Sequence, residues 1–314
     1  MSLAFVFPGQ GSQAVGMLAE LAEQNIEVRA TFEAASSVLG YDLWQLIQQG
    51  PAEQLQATER TQPIMLAAGV ATWRAWCSRG GSVPVVMCGH SLGEFTALVC
   101  AGALGFEDAV DLVRFRGRAM QEAVPQGRGA MAAILGLGDT ELVAACAAAA
   151  QGAVVAPANF NAPGQTVIAG ETAAVQRAIE AAKARGAKRA LPLSVSAPFH
   201  CALMQPAAER LRERLERISM QTPRIAFRSS VDAALHLDPE DIRALMVRQA
   251  VSQVRWTDTV LALIANGAKK IVECGPGQVL TGFNRRIARA AEVQCLALDD
   301  NASLENALRE PVNA

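Results

Sequence analysis

The sequence predicts an α/β fold carrying a smaller inserted unit of order βαββαβ, and three observations predict it. A strand-like apolar run, Val85-Val86-Met87-Cys88, turns sharply through Gly89-His90-Ser91-Leu92-Gly93 into a helical stretch, 94–101, that stops at Gly102. Short strand-like segments at 3–7, 224–231 and 270–274 alternate with helical stretches along the rest of the chain. Between the hinge-like Pro125-Gln-Gly-Arg-Gly129 and the return at Pro198-Phe199-His200, the residues read as strand 130–137, helix 139–150, strand 153–158, strand 166–169, helix 171–185 and strand 188–195. That is the ferredoxin-like order. The expected division is 1–126 plus 197–314 for the large part and 127–196 for the small one.

Taken in order, Leu3 to Phe7 is a first buried strand ended by Pro8, and Gly9-Gln10-Gly11-Ser12-Gln13 is the loop after it. Gly9-x-Gly11-x-x-Ala14 satisfies a loose dinucleotide-binding fingerprint. That fingerprint needs an acid closing a second strand about twenty residues on, whereas 28–39 is helical with Glu33 in its middle. Residues 17–80 are mostly helical, with breaks expected at Gly40, Gly50-Pro51 and Pro63. In the helix expected over 108–122, Ala109, Leu112, Val113 and Met120 form an apolar stripe, and Arg116 falls on it. Arg114 and Arg118 lie on the opposite face with Asp111 and Glu122. A helix should follow the return to about residue 218, with further helices over 242–250 and 258–266 after the turn at Asp238-Pro239. A last helix contains Arg285-Arg286, and the polar tail after Asp299 should fray.

Composition narrows the class. A chain of 314 residues with 51% hydrophobic and 18% charged residues is globular. Its net charge of −2 gives no reason to expect nucleic acid or an anionic membrane as partner. No basic leader precedes the short apolar start, and no apolar run reaches spanning length, so a cytoplasmic enzyme is expected. The seven cysteines include no Cys-x-x-Cys pair, which argues for reduced thiols over a disulfide framework or zinc site. Cys201, beside His200, reads as a small apolar residue, as Cys88 and Cys100 do.

The chemistry centres on Gly89-x-Ser91-x-Gly93. Strand, Gly-x-Ser-x-Gly and helix together make a nucleophile elbow. The turn is so tight that a Cβ at either glycine would strike the neighbouring strand or helix. The serine Oγ is thereby held at a helix N-terminus, where N–H groups stabilise negative charge. A hydroxyl needs a base, and the chain has three histidines. His90 adjoins Ser91, so its side chain should diverge and serve as a structural donor, and His236 lies in a polar stretch. His200 stands at the return, where a cleft would form, and is the preferred base. No acid stands out as a third member, so a Ser-His dyad with a backbone or amide orienter is expected. Inward-facing Arg116 needs an anion: a structural ion pair or, beside an elbow, a substrate carboxylate.

These residues resemble the malonyl-CoA:acyl carrier protein transacylase family of type II fatty-acid synthesis. The resemblance covers nearly the whole chain: Phe-Pro-Gly-Gln-Gly-Ser-Gln (7–13), Thr-Gln-Pro (61–63), Gly-His-Ser-Leu-Gly-Glu (89–94), Arg116-Gly117, Gly129-Ala-Met-Ala-Ala-Ile134, Asn159-Phe-Asn161, Pro163-Gly164-Gln165, Ala187-Lys-Arg-Ala-Leu-Pro192, His200, Val254-Arg-Trp256 and Gly275-Pro-Gly277. It implies an α/β-hydrolase-like large subdomain with a ferredoxin-like insertion. It also implies a cytoplasmic monomer, needing no cofactor or metal, that moves malonyl from malonyl-CoA to the phosphopantetheine thiol of holo acyl carrier protein through a malonyl-serine. By the same resemblance Ser91 is the nucleophile and His200 its base, and the Gln10 and Leu92 N–H groups form the oxyanion hole. Arg116 holds the malonyl carboxylate, and the Gln249 main-chain carbonyl orients the histidine. His90, Met120, Met131, Asn159, Asn161 and Phe199 contact the substrate, Phe199 restricting the pocket to unbranched malonyl. Lys188, Arg189, Arg285 and Arg286 meet the carrier protein; the alternative for these four is solvated surface charge.

Two segments depart from the family's usual pattern. Ser229-Ser230-Val231 replaces Asn-Asn-Val, and Ala250-Val-Ser-Gln253 replaces a Leu-Tyr-Asn-Pro segment. They raise an alternative, a discrete acyltransferase supplying a polyketide synthase. The rivals from other classes are an acyl-thioester hydrolase and a non-catalytic scaffold for carrier protein.

Overall fold

The computed structural model of the protein describes residues 2–309. Its strands are β1 (Ser2–Phe7), β2 (Val86–Gly89), β3 (Gly129–Leu135), β4 (Val155–Ala162), β5 (Gln165–Glu171), β6 (Arg189–Pro192), β7 (Ala226–Arg228), β8 (Leu235–His236), β9 (Ala268–Glu273) and β10 (Gln294–Ala297). The helices are α1 (Ala19–Gln24), α2 (Ile26–Leu39), α3 (Leu43–Gln49), α4 (Ala52–Gln56), α5 (Thr58–Ser78), α6 (Gly93–Cys100), α7 (Phe106–Glu122), α8 (Asp139–Ala150), α9 (Thr172–Ala184), α10 (Gln205–Leu215), α11 (Pro239–Gln249), α12 (Trp256–Ala265), α13 (Val279–Ile287) and α14 (Asn301–Arg309). None of these helices is long and apolar enough to cross a membrane.

Six strands form one sheet in the order β10-β9-β1-β2-β7-β8, parallel except for the edge strand β8. A parallel sheet is covered on both faces, which is why β1 is an unbroken apolar run. Leu3, Phe5 and Phe7 pack on one face with α2, α5, α6 and α7, while Ala4 and Val6 pack on the other with Trp256, Val260 and Leu280. Ligands of such sheets gather beyond the carboxyl ends of the strands. Here those ends carry the Gly9-Gln10-Gly11 loop after β1 and Ser91 after β2.

The remaining strands form an antiparallel sheet in the order β4-β5-β3-β6, the ferredoxin-like order expected from the sequence. Side chains alternate across it. Ala132, Ile134 and Ile168 face α8 and α9, whereas Met131, Val167 and Ala169 face Phe199, Cys201 and Leu203 of the return segment. The antiparallel sheet is tied at β4 to the segment before α12, where the Phe160 N–H donates to Val254 O (2.9 Å) and the Val254 N–H donates to Ala158 O (2.8 Å).

Several expected elements are corrected. Pro63 does not break a helix but lies inside α5. A proline in a helix interior costs ~3 kcal/mol. The buried neighbours Ile64, Met65, Leu66 and Val70 each contribute roughly 1.5–3 kcal/mol, so packing overrides the break. The elbow strand begins at Val86, Val85 being 57% exposed. β4 runs on to Ala162 instead of stopping at 158, because Val254 supplies it with a distant partner. β6 is shorter than expected: the Leu193 N–H still donates to Met131 O (2.9 Å), and residues 193–195 line a cavity. The tail does not fray over 301–309: α14 is capped by Asp300, whose carboxylate accepts the Ser303 N–H, and it buries Leu304 completely.

Candidate active site

The glycines of the elbow act as their positions require. A Cβ on Gly89 would lie 1.9 Å from Gly93 C, and one on Gly93 would lie 2.0 Å from Phe7 O. Ser91 takes φ 54°, a left-handed conformation that β2 and α6 impose on it. The His90 N–H donates to Phe7 O (3.0 Å), and Gly9 approaches so closely that a Cβ there would meet His90 O at 2.6 Å. The β1 loop is thus packed directly on the elbow. Among the described residues, no backbone or side-chain acceptor engages the Gln10 or Leu92 amide.

The Ser91 hydroxyl donates to His200 Nε2 at 2.7 Å. His200 Nδ1 faces two carbonyl oxygens, Gln249 O and Ser252 O, both at 3.1 Å. A carbonyl only accepts, so Nδ1 carries the proton and Nε2 presents its lone pair to the serine. Burial first, then the nearby Arg116 charge, lowers the His200 pKa to about 3. The imidazole is therefore a neutral base at neutral pH. His236, on β8, pairs with Asp232 instead of Ser91.

Arg116 is 2% exposed on the inner face of α7. Its Nη1 donates to Gln62 Oε1 (2.8 Å), and its Nη2 donates to Gln249 Oε1 (2.8 Å) and to Ser91 Oγ (3.3 Å). Its guanidinium carbon stands 5.3 Å from the Phe95 ring centroid. Burial lowers the Arg116 pKa to about 10, which leaves it a cation at neutral pH. All three hydrogen-bond partners are uncharged, so the charge is solvated without being neutralised by contact.

A cavity of about 580 Å³ opens between the two sheets, with Ser91, His200 and Arg116 in its wall. Gln10 and Leu92 line it, as do Met120, Met131 and Phe199. His90, Asn159 and Asn161 complete that set. His90 is pinned by Asn161 Oδ1 (2.8 Å) and by the Trp256 ring, whose centroid lies 5.6 Å away. The four basic residues expected at a carrier surface lie outside the lining. Lys188 and Arg189 are exposed at the Leu135 end of β3, Arg285 donates to Cys295 O (3.2 Å), and Arg286 bridges α13 to Pro163 O and the Gln165 side chain.

Against known proteins, the acyl transferase domain family matches residues 4–298. The malonyl CoA-acyl carrier protein transacylase of Salmonella typhimurium is 53% identical over 307 residues, covering 98% of this chain and 99% of the relative. The chain belongs to this acyl transferase family. The corresponding transacylase of Escherichia coli K12 is 55% identical over 90% of this chain and 92% of its own length. Among solved structures, the acyl carrier protein S-malonyltransferase of Vibrio cholerae superposes with a TM-score of 0.95 at 54% identity, covering 98% of this chain and 99% of that one. A malonyl-transacylase in complex with a type II PKS acyl-carrier protein gives 0.96 at 52% identity, with the same coverage.

Within this acyltransferase frame the structure adds residues that sequence reasoning missed. Gln62, Glu94 and the Gln249 side chain form a buried polar network around Arg116, and Ser252 O gives His200 a second acceptor. Both departing segments touch the site: Ser229 and Ser230 bond Glu94, and Ser252 bonds His200. Glu94 carried a signal, since a carboxylate three residues after Ser91 begins an otherwise apolar helix. Gln62 carried none beyond its motif.

Proposed function

We propose that the protein transfers malonyl from malonyl-CoA to the phosphopantetheine thiol of holo acyl carrier protein, supplying fatty-acid chain elongation. His200 Nε2 takes the Ser91 proton as Oγ attacks the thioester carbonyl, and the Gln10 and Leu92 N–H groups hold the oxyanion. The C–S bond breaks, the thiolate of coenzyme A takes the proton from His200, and malonyl-Ser91 remains. The carrier thiol then attacks that ester, with the same proton path in reverse. The Gln249 carbonyl keeps the imidazole oriented, and Arg116 binds the distal carboxylate, with Phe199 and the two methionines enclosing the short chain. The enzyme acts as a cytoplasmic monomer without a cofactor, and the four basic residues receive the acidic carrier.

The observation that carries this reading is a buried guanidinium 3.3 Å from the nucleophile with no carboxylate in contact, Glu94 reaching it only through the Gln249 amide. A neutral acyl chain gives it no purpose; a carboxylated one does. The malonyl transacylases among its relatives support the same reading, and the type II PKS carrier bound to one of them makes a polyketide carrier the second candidate acceptor. The test follows labelled malonyl-CoA with holo fatty-acid carrier, holo polyketide carrier or buffer alone. Most label should reach a carrier thiol, the preferred carrier naming the pathway. Release as free malonate at the same rate with or without carrier would make the protein a hydrolase.

A further inference from the structure

One buried charge has no part in the chemistry above. Glu94 lies in the first turn of α6, fully buried, three residues after the nucleophile. Its Oε1 accepts from Ser229 Oγ (2.8 Å), the Ser230 N–H (2.5 Å) and Ser230 Oγ (3.1 Å), and its Oε2 accepts from Gln249 Nε2. The backbone and amide N–H groups can only donate, so this surround suits an ionised carboxylate. Burial raises the Glu94 carboxyl above the usual carboxylate range, and these hydrogen bonds offset only part of that rise.

Gln249 is fully buried beside it, and its amide has one donating and one accepting end. Nε2 faces Glu94 and Ser91 O (2.9 Å), while Oε1 faces Arg116 Nη2 (2.8 Å). Turned over, the amide would set an oxygen against a carboxylate and a carbonyl, and an NH₂ against a guanidinium. Three attractive contacts would become three repulsive ones. The carboxylate thus fixes the amide orientation together with Ser91 O and the guanidinium, and that orientation supplies the oxygen that, with Gln62 Oε1, aims the Arg116 fork at Ser91.

We propose that Glu94 is a positioning residue for acyl-group selection: clamped by Ser229 and Ser230, it locks the Gln249 amide so that Arg116 stays aligned to receive a carboxylated acyl group. This rests on the malonyl transfer proposed above. The test compares wild type, Glu94→Gln and Ser229→Ala/Ser230→Ala for the kcat/KM of Ser91 loading from malonyl-CoA and from acetyl-CoA. In Glu94→Gln one NH₂ must face either the Ser230 N–H or the Gln249 NH₂, so one of the contacts that hold the lock turns repulsive and the lock weakens. The malonyl-to-acetyl ratio should fall by about tenfold or more, chiefly through malonyl KM, with acetyl loading within roughly threefold of wild type. The double serine variant keeps the carboxylate and two of its donors, and should lower the ratio by roughly two- to fivefold. An unchanged ratio in a folded Glu94→Gln protein, or parallel loss of both loadings, would overturn the proposal. If Glu94→Gln fails to fold, an unchanged ratio in the serine variant overturns it instead. Failure of the wild type to take malonyl at all would sink the proposed function, a separate result.

Discussion

His200→Ala is expected to slow malonylation of Ser91 by about a hundred- to ten-thousandfold, the usual contribution of a positioned general base. The hydroxyl would keep its place at the elbow but lose the lone pair 2.7 Å away that takes its proton. Asparagine at this position should not restore the rate, since its amide offers no group that takes up and returns a proton near neutral pH. The pH profile makes a sharper statement. An ordinary histidine loses its basic form below pH 6.5. Here burial and the Arg116 charge hold the folded pKa at about 3, so the neutral form persists well below that point. Stopped-flow or quench measurement of malonyl loading should therefore give a kcat/KM that is flat from about pH 7 to 5. A fall centred near 6.5 would mean that the imidazole titrates as an exposed one.

Arg116→Ala should remove the preference for a carboxylated acyl group. Truncating one partner of a buried charge pair costs ~2–5 kcal/mol, which is roughly one and a half to three and a half decades in rate. The loss should fall on malonyl-CoA, with acetyl-CoA far less affected, because acetyl presents nothing to the guanidinium. Lysine should rescue poorly. Arg116 holds Gln62, Gln249 and the Ser91 hydroxyl with two nitrogens of one plane, and a single ammonium cannot reproduce that fork. Competition between the two acyl-CoA substrates reads the effect directly. Undiminished malonyl preference in Arg116→Ala would place carboxylate recognition elsewhere in the cavity.

What the sequence disclosed about this site follows the range of the interactions. The elbow was legible because its demand is local: Gly89, Ser91 and Gly93 fix one tight turn between a strand and a helix. Arg116 was legible because the helical period alone put a cation on an apolar stripe. The partners of that cation were not, since Gln62 and Gln249 lie 54 and 133 residues away along the chain. Side-chain amides in polar segments look like any others until the fold closes. Glu94 stood in view within a quoted motif, yet its purpose depends on Ser229, Ser230 and Gln249, which only the sheet order brings to it. The fold shows the same division. The βαββαβ order could be read from short-range patterns. The extension of β4 by Val254, the helix that continues through Pro63 and the burial of Leu304 in α14 are decided by distant packing.

The most direct test of the account is the intact mass of the protein after brief exposure to malonyl-CoA, beside Ser91→Ala. The account predicts one malonyl adduct on the wild type, none on the variant, and loss of the adduct to holo acyl carrier protein when that is added. An equal adduct on Ser91→Ala, or no adduct on the wild type with any acyl-CoA, would contradict it.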